Sequence, residues 1–259
     1  MLILLPPSEG KSAPGRGKPL DLAGLSSPGL TQARTRVLDA LVSLCEGDPE
    51  VAARTLDVPR SQLGLVALNA RAASAPTARA DAVYTGVLYD HLDLATLTPA
   101  AKRRASSRVA VTSSLFGLLR PGDRIPAYRL SGDATLPDVG PVAGVWRAAL
   151  GPAVLDALGR GLLVDLRSGM YAAFWRPSGD LADRVATVRV LHEVEGRRSV
   201  VSHFNKATKG RIVRAVLEDG RDPRTPLALA ELLTDLGWTV EVGPTTAKGV
   251  QLDVVVTQV

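Results

Sequence analysis

Cysteine is almost absent. The 259-residue chain has one, Cys45, so no internal disulfide can form. Structural zinc sites, which usually take two or more thiolates, are disfavoured too. Cys45 lies in an apolar helical run and reads as a buried, inert thiol. One cysteine fits a reducing compartment, and a cytoplasmic location is expected. Histidine is nearly as scarce, at three residues. No His/Asp/Glu group has metal-ligand spacing, so neither a metal nor a cofactor is expected. No segment reaches the roughly 18–20 apolar residues of a membrane span, and no membrane partner is expected. The apolar start, residues 1–5, lacks a basic leader and is cut by Pro6 and Pro7, so it reads as a buried first strand rather than a signal peptide. There is no G-x-G-x-x-G, no phosphate loop ending in Gly-Lys-Ser/Thr, no G-x-S-x-G elbow and no catalytic triad.

What is present is a basic, arginine-rich chain. The net charge is +5, and only six of the 31 basic residues are lysines. Arginine's planar fork of donors suits phosphate. An Ala-, Arg- and Val-rich chain from a GC-rich genome has the same balance, so placement must decide. The length is compatible with one domain that buries a large core without disulfides. Residues 6–29, 131–141 and 219–226 read as loops, but none has the composition of an interdomain linker. A single domain over residues 1–259 is expected, and a monomer.

Helical spacing of apolar residues predicts helices over 31–45, 61–73, 99–107, 142–159, 205–218 and 226–236, the last capped by Thr225 and stopped at Gly237. Strands are predicted at 1–5, 109–112, 162–165, 185–194, 199–204, 239–242 and 250–256, with Glu195-Gly196 as a hairpin turn. The fold class is therefore α/β of the mixed α+β kind: a single mixed sheet surrounded by helices. The hairpins argue against a doubly wound parallel sheet.

Five segments carry chemistry. Pro6-Pro7-Ser8-Glu9-Gly10-Lys11 follows the first strand, where ligands commonly bind, and Lys11 offers an ammonium. Val83-Tyr84-Thr85-Gly86 places Tyr84 beside a glycine turn, either as a stacking platform for a base or as a packed corner. Residues 113–130 contain Gly117, Arg120, Pro121, Tyr128 and Arg129. A tight apolar turn with a nearby arginine can present backbone N–H groups to a phosphate. Asp165, Arg167, Ser168 and Tyr171 lie at the mouth of a strand; Asp165 either faces a cleft or pairs with Arg167. Finally, His203, Asn205, Lys206, Lys209 and Arg211 open a helix. Cations there oppose the helix dipole by about 0.3–1 kcal/mol each, so an anion is expected nearby.

These motifs, in this order, resemble the YaaA family of bacterial peroxide-stress proteins. The likeness rests on residues 1–5 running into the Pro-Ser loop with Lys11, and on Val83-Tyr84-Thr85-Gly86. It continues through Leu115-Phe116-Gly117-Leu118-Leu119-Arg120-Pro121 with Tyr128-Arg129-Leu130. It ends with residues 168–171 and with Lys206, Lys209 and Gly210. The chain reads as a divergent branch of the family. The resemblance implies the family's single-domain mixed fold with a positively charged cleft. It implies a helix-hairpin-helix-like element at residues 113–130 and a cytoplasmic role in surviving hydrogen peroxide by limiting free iron and binding DNA. Carried over by position, Lys11, Arg120, Tyr128, Arg129, Lys206 and Lys209 would line the cleft.

Two functions follow. One is a non-enzymatic, structure-preferring DNA binder of the peroxide response, using Lys11, Tyr84, Arg120, Tyr128, Arg129, Lys206, Lys209 and Arg211. The other is an enzyme acting on a nucleotide or other phosphorylated small molecule, with Lys11, Asp165, Arg167, Ser168, Tyr171, His203 and Lys206 converging on one pocket. The residues alone do not decide between a DNA partner and a smaller phosphate-rich ligand.

Overall fold

The structure, a computed structural model, describes residues 1–257, without the side chains of Ser202 and His203. One eight-stranded mixed sheet runs through it. Its strands are β1 (Leu2–Leu5), β2 (Val109–Ser113), β3 (Gly117–Leu119), β4 (Leu163–Asp165), β5 (Val185–Val194), β6 (Arg197–Ser199), β7 (Thr239–Thr246) and β8 (Gly249–Val256). The order is β7-β8-β5-β4-β1-β2-β3, with β6 added to the free edge at the end of β5. The mixed sheet is as expected. Its centre, however, is parallel: β8, β5, β4, β1 and β2 are neighbours running the same way. The antiparallel pairs β2–β3, β5–β6 and β7–β8 are additions to that centre. Every residue of β1 and of β2 is buried, as parallel strands covered on both faces require.

Six helices matter below: α1 (Thr31–Glu46), α2 (Val87–Leu92), α3 (Pro99–Arg108), α4 (Val142–Leu158), α5 (Ser202–Asp219) and α6 (Pro226–Asp235). In α1 the buried face is Val37, Leu38, Leu41 and Cys45, as the spacing predicts, and it also buries Arg34. The Arg34 guanidinium donates there through Nε and Nη2 to the carbonyls of Ser26, Phe116 and Leu118. α6 starts on the predicted cap: Thr225 accepts from the N–H of Ala228. One hydrophobic cluster links the central strands to these helices. Among the described residues, no helix is long and apolar enough to cross a membrane.

Two expectations are corrected. Residues 113–130 hold no helix: β2 ends at Ser113, a turn covers 114–116, β3 follows, and the rest is turns and a two-residue strand. The helix-hairpin-helix reading fails there because a short apolar run fits a buried strand as well as a helix, and β3 is buried at all three positions. The predicted strand at 199–204 is cut to Arg197–Ser199. α5 already begins at Ser202, with Val201 at its N-cap and no capping side chain. Asn205 is thus inside the first helical turns rather than capping them.

Candidate functional site

The sheet itself locates the site. From β1 the chain crosses to β2 on one side and later returns to β4 on the other. The loops leaving the carboxyl ends of these strands therefore diverge from β1. In open α/β sheets ligands bind at such switch points. The loop after β1 (Pro6, Pro7, Ser8, Glu9, Gly10) and the loop after β4 (Ser168, Met170, Tyr171) line one cleft of about 470 Å³. The opposite wall comes from residues 85–89 and 129–131, and Lys206 of α5 closes one end.

All four tyrosines of the chain gather here. The hydroxyls of Tyr84 and Tyr128 lie 2.9 Å apart, and Ser113 Oγ is 2.8 Å from the Tyr128 hydroxyl. Tyr84 stacks on Tyr89 with ring centroids 5.4 Å apart, and Tyr89 donates to the Pro6 carbonyl at 2.7 Å. Tyr89 and Tyr171 reach the cleft wall. Tyr84, Tyr89 and Tyr128 are buried, and that burial raises their pKa values. They are neutral hydrogen-bonding groups at any ordinary pH. Tyr84 and Tyr128 are buried behind the residues that line the cleft, a floor on which neither ring is open for a base to stack.

Lys11 stands on that floor. Its ammonium donates to the carbonyls of Ser8 (2.8 Å) and Glu9 (3.3 Å) and sits 4.2 Å from the centroid of the Tyr128 ring. Its backbone forms an isolated bridge to Tyr84. Burial, then the positive charge of Arg129, lower its pKa from 10.5 to about 7, against an opposing pull from Glu9. Lysine shifts this way readily when removed from water. Lys11 thus changes charge near neutrality, beside a cleft.

Arg129 is fixed by its backbone. The carboxamide of Asn69 donates to the Arg129 carbonyl at 2.7 Å and accepts from its N–H at 2.8 Å. Asn69 is fully buried. The Arg129 side chain lines the cleft, and among the described residues it has no carboxylate partner. Asn69 is a positioning residue that sequence reasoning missed; its signal was an amide on the inward face of an otherwise apolar helix, Gly64–Ala70. Lys206 is placed by close helix packing. One turn after it, a Cβ on Gly210 would stand 2.3 Å from the Leu88 carbonyl oxygen. Only glycine lets α5 approach α2 so closely, and that approach brings Lys206 to the cleft.

Other expected residues serve the fold. Asp165 and Arg167 form a buried two-pronged pair, at 2.9 and 2.7 Å. Arg167 also donates to the carbonyls of Tyr171 (3.3 Å) and Trp175 (3.0 Å). Lys209 is buried and donates to the Leu166 carbonyl at 3.0 Å; burial lowers its pKa and Asp165 holds it up. This cluster props the loop that carries Ser168 and Tyr171 but does not line the cleft. A buried pair this well satisfied holds geometry, and breaking one partner is costly. Arg120 lies elsewhere: it donates to the carbonyls of Ser107 (2.9 Å) and Val109 (3.1 Å), tying α3 to β2. Arg211 is exposed on α5 and does not line the cleft. The side chain of His203 lies outside the described residues. Of the expected set, Arg129, Ser168, Tyr171 and Lys206 line the cleft, and Lys11 lies beside it, bonded to Ser8 and Glu9 of its wall and over the Tyr128 ring. Among the described residues, no group of three or more His, Cys, Asp or Glu side chains is placed to hold a metal ion.

A family model described as peroxide stress protein YaaA matches residues 1–241. A UPF0246 protein of Streptomyces coelicolor is 52% identical over 262 residues, covering 100% of both chains. UPF0246 proteins of Corynebacterium efficiens and Corynebacterium glutamicum are 41% and 38% identical, covering 93% and 94% of this chain and 95% and 96% of their own.

Proposed function

We propose a function from one premise: the chain belongs to the YaaA peroxide-stress family. Its cleft binds a small anionic ligand of the phosphate class, a nucleotide or another phosphorylated molecule. The observation that carries this is the pairing of Arg129 and Lys206, two cations without a carboxylate partner among the described residues, on a cleft of about 470 Å³ with Lys11 beside it. That volume is in the range of small-molecule sites. Arg129 offers a planar fork and Lys206 a mobile point charge. Ser8, Thr85, Ser131 and Ser168 add hydroxyl partners around the rim. An anion next to Arg129 also changes Lys11: it offsets the Arg129 repulsion that, after burial, lowers the amine's pKa, so the amine takes up a proton. If the bound molecule reacts, Lys11 is the group able to exchange a proton near pH 7.

DNA binding is the second reading, favoured by two exposed cations on α5, Lys206 at the cleft and Arg211 beyond it. The earlier phosphate-binding set is reduced for it, since Arg120, Lys209, Tyr84 and Tyr128 are committed within the fold. Nucleic acid would then rest on the rim and place one phosphate in the cleft.

Thermal-shift titration separates the readings, using pyrophosphate, nucleoside mono- and triphosphates, and a short DNA duplex. A small ligand at 100 times its Kd adds about 2.7 kcal/mol of stability. The expected result is stabilisation by at least one small phosphate, lost in Arg129→Ala and Lys206→Ala. Stabilisation by the duplex alone, falling steeply with salt as phosphate contacts demand, would replace this reading with the DNA one.

A further inference from the structure

Three residues of the chain carry sulfur: Met1, Cys45 and Met170. The Met1 side chain is 0% exposed and Cys45 is 6% exposed, whereas Met170 is 41% exposed. The one sulfur-bearing residue with substantial exposure therefore lies in the cleft wall. Its seat is specific. Ser131 Oγ lies 3.8 Å from the thioether sulfur and also bonds to the Asp133 carboxylate. A Cβ added to Gly132 would stand 3.1 Å from both Cγ and Sδ of Met170. The sulfur thus rests against bare backbone, with the Ser131 hydroxyl, whose proton goes to Asp133, on one side and the cleft on the other.

We infer that Met170 is an oxidation site for hydrogen peroxide or an organic hydroperoxide, and that its sulfoxide rearranges the cleft wall at residues 131–133. The sulfur lone pair attacks one peroxide oxygen. A sulfur–oxygen bond forms as the oxygen–oxygen bond breaks. The proton on the transferred oxygen passes to the departing hydroxide, which leaves as water, or as an alcohol from a hydroperoxide. Sulfur loses two electrons and the peroxide gains them. The product side chain is polar and bulkier. Its oxygen accepts hydrogen bonds and has Ser131 and Arg129 within the same wall. A polar sulfoxide gives up the apolar contact with Gly132 and turns into the open cleft, so residues 131–133, close after Arg129, lose the side chain that packed on them. The site does not depend on which ligand the cleft takes.

The test exposes the full-length protein, and its Met170→Leu variant, to graded hydrogen peroxide. Peptide mass spectrometry then reports which residue gains oxygen, and hydrogen exchange reports the wall. The expected result is addition of one oxygen to Met170 on the order of tenfold faster than to Met1, with Cys45 still reduced. Exchange at residues 131–133 should rise in the oxidised wild type and stay constant in treated Met170→Leu. Oxidation of Met170 no faster than Met1, or equal exchange in oxidised and untreated wild type, overturns the inference. Both readouts hold whether or not the untreated protein binds a phosphate, so failure of the ligand reading is a separate result.

Discussion

Lys11 concentrates the argument at the scale of single residues. Its pKa falls from 10.5 to about 7 in the folded chain. Between those values the unfolded chain binds the extra proton, so stability rises with pH across the window. Below about pH 7 the folded chain carries a charged amine in a buried place, and the full penalty applies. Lys11→Met removes that penalty and keeps most of the side chain's volume. Its melting temperature should exceed that of the wild type at pH 6, and the gain should shrink toward zero near pH 10.5. A variant less stable than the wild type at pH 6 would show that the Ser8 and Glu9 contacts outweigh burial. Of the residues the sequence put forward, Arg129, Ser168, Tyr171 and Lys206 line the cleft and Lys11 lies beside it, whereas Arg120 and Lys209 donate to internal carbonyls away from it. A cation that satisfies internal carbonyls looks identical, in one dimension, to a cation that awaits an anion. Asn69 was invisible for a related reason: its work is done on a backbone 60 residues away.

At the scale of elements, α5 is the piece that completes the cleft, and Gly210 is what seats it. In an isolated helix Gly→Ala is favourable by about 1 kcal/mol. Here the added methyl meets the Leu88 carbonyl at 2.3 Å, and backbone cannot step aside as a flexible side chain can. Gly210→Ala should therefore lower the melting temperature despite its helix propensity, and weaken phosphate binding by displacing Lys206. A stabilised variant with unchanged affinity would show that the α2–α5 packing does not set the site. The position of α5 itself was only partly legible. Val200 and Val201 are β-branched and follow a hairpin turn, as strand residues would. Yet β6 pairs only with the last three residues of β5, and the chain turns helical as soon as that edge ends. The helix-hairpin-helix expectation failed at the same scale, because burial on both faces erases the periodicity that tells helix from strand.

At the scale of the whole molecule, strand topology turns scattered motifs into one site. The β5–β6 hairpin, turning at Glu195-Gly196, was readable because its partners are close in sequence. The parallel centre was not, since β1 pairs with β2 and β4, more than 100 and 150 residues away. Once β1 stands between them, Lys11, Arg129 and Tyr171 fall at one end of the sheet, and Lys206 reaches it from α5. The central claim is that this end binds a phosphate-class anion whose charge is felt by Lys11. Isothermal titration of the small phosphate found by thermal shift, run at pH 8 in two buffers of different ionisation heat, tests it most directly. The account predicts net proton uptake on binding in the wild type and none in Lys11→Met. Binding without proton uptake, or equal uptake in the variant, would contradict it.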